Sequence, residues 1–262
     1  RLDLANAIAS PKNPLTARVW VNRVWMHHFG EPLVENPADF GLQAKQPVQL
    51  DVLDFLANYF IENGWRTKPL HELILTSRAW QRSSRVPESE PFVTQRLGDA
   101  GNALLWRANR RRLDLEQMRD ALLFVTGELD ETPFGRPALI TDESNRRRTI
   151  YAFVERQNIP AMIQTFDFAN ADTSTSRRNM TTVPQQALFA LNSPFMLARA
   201  DALATRVAGV ETPQRVPRLF ATVLGREPTS AEREECERFL ESGTIEQLAQ
   251  VLLMSNELMF VD

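Results

Sequence analysis

Apolar positions recur along most of this chain with the period of an amphipathic helix, and clear start and stop residues bound the periodic segments. Asn13 and Pro14 read as the N-cap and first helical position, because proline lacks the N–H that would be orphaned there. Gly30 closes that segment, since glycine tolerates the left-handed conformation just past a helix. Further helices are predicted from about Val48 to Asn63, before Gly64, and from about Pro69 to Ser83. Asp114 with Gln117 starts one that ends at Gly127, Ser193-Pro194 one that ends near Gly209, and Thr212-Pro213 one that ends at Gly225. Thr229 with Glu232 and Thr244 with Gln247 match the capping box, in which each side chain satisfies an open N–H of the helix start.

The middle of the chain breaks this period. Glu131 to Ser144 is rich in proline, glycine and aspartate, and Thr149 to Val154 alternates like a strand, with Pro137 to Thr141 as its expected hairpin partner. Asp167 to Thr182 has no apolar period and reads as a loop; Arg85 to Asp99 reads as a polar connection with room for a short helix. The expected fold is mainly α, with about ten helices and a small β-hairpin in the middle. Residues 1–262 are read as one domain, subdivided into an N-terminal helical part (1–130), a loop and hairpin insert (131–182) and a C-terminal helical part (183–262).

The segment from Pro14 to Phe29 is apolar nearly all round, which predicts a buried, central helix. Arg18 and Asn22 lie one turn apart on an apolar face. A buried guanidinium costs several kcal/mol unless paired, so Arg18 is expected to meet a carboxylate or carbonyls, and the two residues are read as a buried polar clamp. His27 and His28 are adjacent, so on a helix they point about 100° apart, whereas helical ligand pairs need i, i+3 or i, i+4 spacing. His71 is distant in sequence; no metal site and no cofactor are expected in this chain.

Composition sets limits. Hydrophobic residues make up 43% and charged residues 24% of 262, ordinary for a globular chain that can bury a sizeable core. A net charge of −3 argues against a dedicated nucleic-acid binder. Nine acids and three arginines follow Gly225 onward, which reads as a solvated helical tail. Cys236, the single cysteine, fits no CxxC or CxxCH pattern. No membrane span is expected, because no apolar run is long enough. The chain starts at Arg1 without a leader, so it is expected to be part of a longer protein whose remainder carries any targeting signal.

The loop is the strongest candidate site. Asp167, Asp172, Arg177, Arg178 and Asn179 run into Thr181, Thr182 and a helix started by Pro184. Open N–H groups at that start, with two arginines, would suit a carboxylate, sulfate or phosphate group. Against this stands an internal role, with the arginines paired to Asp167, Asp172 or other acids. Arg110 to Arg112 and Arg146 to Arg148 are further basic clusters that could join the loop or simply face solvent. Asp39-Phe40-Gly41 resembles the kinase magnesium motif, but no phosphate loop or catalytic loop accompanies it, and Asp39 is read as bracing a turn.

Several motifs in fixed order carry a family resemblance. They are Asn13-Pro-Leu-Thr-Ala-Arg-Val-Trp-Val-Asn-Arg-Val-Trp-Met-His-His-Phe-Gly30, Leu33-Val-Glu-Asn-Pro-Ala-Asp-Phe-Gly41, Leu70-His-Glu-Leu-Ile-Leu-Thr-Ser77 and Arg112-Leu-Asp114, then Phe166-Asp-Phe168, Arg177-Arg-Asn-Met-Thr-Thr-Val-Pro-Gln-Gln-Ala-Leu188, Leu191-Asn-Ser-Pro194 and Ser255-Asn-Glu257. The chain resembles, over essentially its whole length, the domain of unknown function 1553 family, found chiefly in planctomycete and related bacterial proteins. That resemblance implies a C-terminal position in large, exported (periplasmic or extracellular) proteins, behind upstream partner domains that often include a cytochrome c. It also implies a link to polysaccharide use in some parents, with no established catalytic residues. Family members often carry a cysteine before the Arg-Arg-Asn motif; here the segment reads Thr173-Ser-Thr-Ser176, which removes a thiol role.

Three functions follow as expectations. The first is an accessory module that binds a small anion, an anionic glycan or a neighbouring domain. The second is a carbohydrate-active hydrolase or lyase using Asp167 or Asp172 with Arg177 and Arg178. The third is a scaffold whose arginines serve only the fold. An enzyme predicts a deep cleft holding Asp167 and Arg177, a binding module a shallow basic patch, and a scaffold arginines paired internally.

Overall fold

The computed structural model describes residues 1–86, 89 and 92–261. It is mainly α-helical; strand is confined to Arg111–Arg112 and Phe260–Val261 among the described residues. The chain divides into two compact units, Arg1–Arg111 and Arg112–Val261. The reason is that the helix after Asp114 already belongs to the second core: Leu115, Met118 and Leu122 are buried with residues from Met196 to Leu253.

The first unit contains α1 (Leu2–Ile8), α2 (Thr16–Phe29), α3 (Leu50–Glu62), α4 (Thr67–Leu75) and α5 (Phe92–Gly98). The side chain of Asn13 accepts from the N–H groups of Leu15 and Thr16, and Gly30 ends α2 at φ 81° with its N–H on Met26. Helix α2 is not buried all round, as its sequence suggested. It buries Ala17, Val21, Val24, Trp25 and Phe29 against Leu53, Leu56 and Phe60 of α3 and Leu70 and Ile74 of α4, while Leu15 and Trp20 remain nearly half exposed. Helix α4 stops at Leu75, well short of Ser83, where Thr76 and Ser77 turn their hydroxyls onto carbonyls of the last turn.

The second unit contains α6 (Leu115–Thr126), α7 (Ala161–Thr165), α8 (Pro184–Asn192), α9 (Pro194–Ala208), α10 (Thr212–Val223), α11 (Ser230–Leu240), α12 (Ile245–Leu253) and α13 (Asn256–Met259). Helix α9 is the hub. Its Met196, Ala200, Leu203 and Val207 are almost fully buried, and it packs against α6, α8, α10 and α12. The capping boxes at Asp114/Gln117, Thr229/Glu232 and Thr244/Gln247 are all formed.

The expected hairpin is replaced by something else. Ala138 and Ala152 make a single parallel bridge, and Thr149–Tyr151 is a short 3-10 turn. Side chains of α6 cause this: Asp120 accepts from both the N–H and the hydroxyl of Thr149, at 2.7 Å each, and Arg119 donates to the carbonyls of Asn145 and Arg147. Backbone groups consumed by helix side chains cannot form a ladder. Among the described residues, no helix is long and apolar enough to cross a membrane.

Candidate functional site

The two members of the predicted clamp sit in different surroundings. Asn22 is fully buried and grips Val34, accepting its N–H at 3.0 Å and donating to its carbonyl at 3.4 Å. Arg18 lies at a partly exposed edge, with Nε 2.6 Å from Asp54 Oδ1 and a terminal nitrogen 2.6 Å from the Pro14 carbonyl. Asp39 accepts from the Gly41 N–H and braces that turn.

In the second unit, the loop after α7 is tied down by its own polar groups. Asp167 sits at φ 58°, a left-handed conformation that aspartate tolerates better than most residues. Its carboxylate accepts from the N–H and hydroxyl of Thr181, at 2.7 and 2.8 Å, which closes the loop on itself. Asp172 is ion-paired with Arg156. Arg178 leaves the loop and meets Glu116 of α6 through two parallel hydrogen bonds of 2.8 Å, with its guanidinium 4.9 Å from the Phe168 ring centroid. Burial pushes the Glu116 carboxyl up, but the bonds from Arg178 and a backbone N–H outweigh it and hold the group below its usual range. Arg177, Asn179, Thr181 and Thr182 are exposed.

The helix start at Pro184 is also occupied from within. Gln186 is buried; its carbonyl oxygen accepts from Arg112 at 2.5 Å and from the Val183 N–H at 3.5 Å, and its amide donates to the Thr165 carbonyl. The basic clusters are engaged too. Arg146 pairs with Glu128, Arg148 lies 3.6 Å from Asp120, and Arg147 donates to carbonyls of Arg136 and Phe134 with its charge over Tyr151.

A cleft of about 630 Å³ opens beside this framework. Its apolar lining includes Leu115, Ile140, Ile150, Ile163 and Phe168, and its polar edge is the first turns of α6, with Asp114, Glu116 and Asp120, together with Arg148. The volume falls in the range of small-molecule sites. Each edge carboxylate already has a partner: Asp114 caps α6, Glu116 holds Arg178 and Asp120 holds Thr149. Asp167, Asp172 and Arg177 do not line the cleft. The sequence reading missed α6 as the site's polar edge, although Asp114, Glu116 and Asp120 fall close together on one helix.

Two other features bear on chemistry. Half-burial and the glutamates at 232, 235 and 237 push the Cys236 thiol up, away from a reactive thiolate. In the first unit, His28 and His71 meet across helices α2 and α4 at 2.7 Å, a contact that the sequence did not suggest.

Fold and cleft together define a mainly α-helical protein with a preformed pocket. By family, the chain belongs to PSD1, protein of unknown function (DUF1553), whose model matches residues 1–240. No curated protein and no solved structure matches it.

Proposed function

We propose that the chain is a recognition module whose second-unit cleft binds a polyhydroxylated, glycan-like ligand without transforming it. The observation that carries this reading is the bidentate Glu116–Arg178 pair, fixed at 2.8 Å and stacked on Phe168 at the edge of an apolar cleft. A sugar presents apolar ring faces beside pairs of hydroxyl groups. An immobilised carboxylate–guanidinium pair offers acceptors and donors to such hydroxyls at little ordering cost, and Ile150 and Phe168 offer surface to the ring faces.

A small anion is a weaker fit, because Arg148, the guanidinium that lines the cleft, lies 3.6 Å from Asp120, and Arg178 is already neutralised by Glu116. The hydrolase or lyase reading requires a carboxylate free to move a proton, whereas Asp167 and Asp172 are held by Thr181 and Arg156. The family resemblance would place the module in exported, often haem-bearing parent proteins alongside upstream domains, so the ligand would be a polysaccharide fragment outside the cytoplasm. The scaffold reading draws support from the same ion pair, and one experiment separates the two. A glycan array is probed with the wild-type chain and with Phe168→Ala, which removes the ring but leaves the ion pair. Binding weakened about tenfold, or ~1.4 kcal/mol, by a variant that is still folded at the assay temperature supports recognition; Phe168 packs against the core, so the variant's melting temperature is expected to fall. Absence of any glycan bound by the wild type, or equal binding by both chains, refutes it.

A further inference from the structure

We propose that His28 and His71 form a two-imidazole site for a divalent transition cation such as Zn²⁺ or Ni²⁺. The residues are 43 apart in sequence and stand on different helices, yet His28 Nε2 and His71 Nδ1 face each other at 2.7 Å, with the rings inclined at 67°. Both backbones are anchored by the residue next door: Phe29 follows His28 and Leu70 precedes His71, and both are core residues of the first unit. The helices therefore hold the two ring nitrogens in place without any help from an ion, and preorganisation of this kind lowers the cost of binding.

The chemistry balances. In the free pair, one facing nitrogen carries the proton of the hydrogen bond and the other its lone pair. Coordination needs a lone pair on both atoms, so that proton moves to the far nitrogen of its own ring, and both imidazoles stay neutral with no net proton release. Two nitrogens bound at 2.0–2.1 Å to a tetrahedral ion are roughly 3.3 Å apart, so the rings part by about 0.6 Å, within reach of small side-chain rotations. Imidazole nitrogen suits zinc, nickel and copper rather than magnesium or calcium.

Among the described residues, no group of three or more His, Cys, Asp or Glu is placed to hold a metal. On a tetrahedral ion such as Zn²⁺, two coordination positions are thus left to water or to a group from a second molecule, so the site presents an ion rather than enclosing it. The neighbouring charge fits that role. Arg111 donates to the His27 carbonyl, and its positive charge, felt at His28, opposes a tightly retained cation. His27 is exposed and forms no part of the pair, which makes it a natural control.

The test titrates Zn²⁺ or Ni²⁺ alone into the 262-residue chain by calorimetry, using the wild type and His27→Ala, His28→Ala and His71→Ala. One ion per chain is expected for the wild type and His27→Ala, with at least about tenfold weaker binding in each of the other two. Imidazole ¹⁵N resonances of the wild-type chain give a readout that requires no variant to fold: the metal should shift those of His28 and His71 together. No binding by the wild type, unmoved His28 and His71 resonances on metal addition, or unaltered binding after loss of either histidine would overturn the assignment.

Discussion

Glu128 is the test case for how the second unit tolerates buried charge. Arg199 on α9 is 1% exposed, with Nε 2.7 Å and a second nitrogen 3.2 Å from the Glu128 carboxylate, and its remaining terminal nitrogen is buried without a hydrogen-bond partner. Burial depresses the Arg199 pKa and Glu128 opposes that effect. Glu128 also serves Arg146, but that side chain is 31% exposed and can turn to water. Glu128→Ala therefore strands one guanidinium in the core, and the Phe195 ring 4.9 Å away compensates for only a small part of the lost charge partner. Removing one member of a buried pair costs about 3–5 kcal/mol, whereas replacing the buried charge itself with an apolar side chain is often close to neutral. For a chain of this size the first figure corresponds to a melting point lower by about 6–20 °C. Arg199→Met, which leaves Glu128 with Arg146, should cost far less, and adding it to Glu128→Ala should restore most of the lost stability. Scanning calorimetry on the three variants decides the matter. If Glu128→Ala costs under about 1 kcal/mol, or Arg199→Met proves the more damaging change, then Arg199 does not depend on Glu128 and the reasoning fails.

Three further outcomes follow from the same contacts. Asn22→Leu removes both bonds to Val34 inside the first core and should destabilise that unit by about 2–4 kcal/mol in urea denaturation; a loss below half that range would mean that Val34 finds other partners. Gln186→Ala unties Arg112, Val183 and Thr165 together, so limited proteolysis between residues 170 and 182 should accelerate several-fold, and an unchanged cleavage rate would count against Gln186 as the anchor of the loop. Glu232 is held down at about 2 by two bonds from Arg226, with the Thr229 backbone adding to the effect. A carboxylate with a depressed native pKa lends stability that is complete above its unfolded value and disappears as the pH falls through the native one. Glu232→Gln should therefore narrow the gap in melting temperature from the wild type as the pH falls from 5 towards 2; a gap independent of pH would refute this.

What could be read from the sequence was local. Asp114 with Gln117, Thr229 with Glu232, and the glycines at 30 and 127 act within a few residues of themselves, so helix ends are encoded where they occur. The strand reading of Thr149 to Val154 failed for the opposite reason. Its alternation is genuine, but Asp120 and Arg119, about thirty residues earlier, take the polar groups that a ladder would have used. The candidate site shows the same divide. The closure of Asp167 on Thr181 spans 14 residues within one polar segment, whereas Glu116 lies 62 residues from Arg178 and His71 lies 43 from His28. No spacing rule connects such positions; His28 meets His71 because α2 and α4 pack, and Arg178 meets Glu116 because its loop folds onto α6, both set by apolar contacts spread over each unit.

The central claim concerns the cleft beside α6. Its most direct test is to record amide and methyl resonances of the chain while adding the best-bound oligosaccharide fragment from an array. The recognition account predicts saturable shifts concentrated at Leu115, Glu116, Ile150, Ile163 and Phe168, and their loss in Phe168→Ala. Saturable shifts confined to other parts of the chain, or none at all, would contradict it.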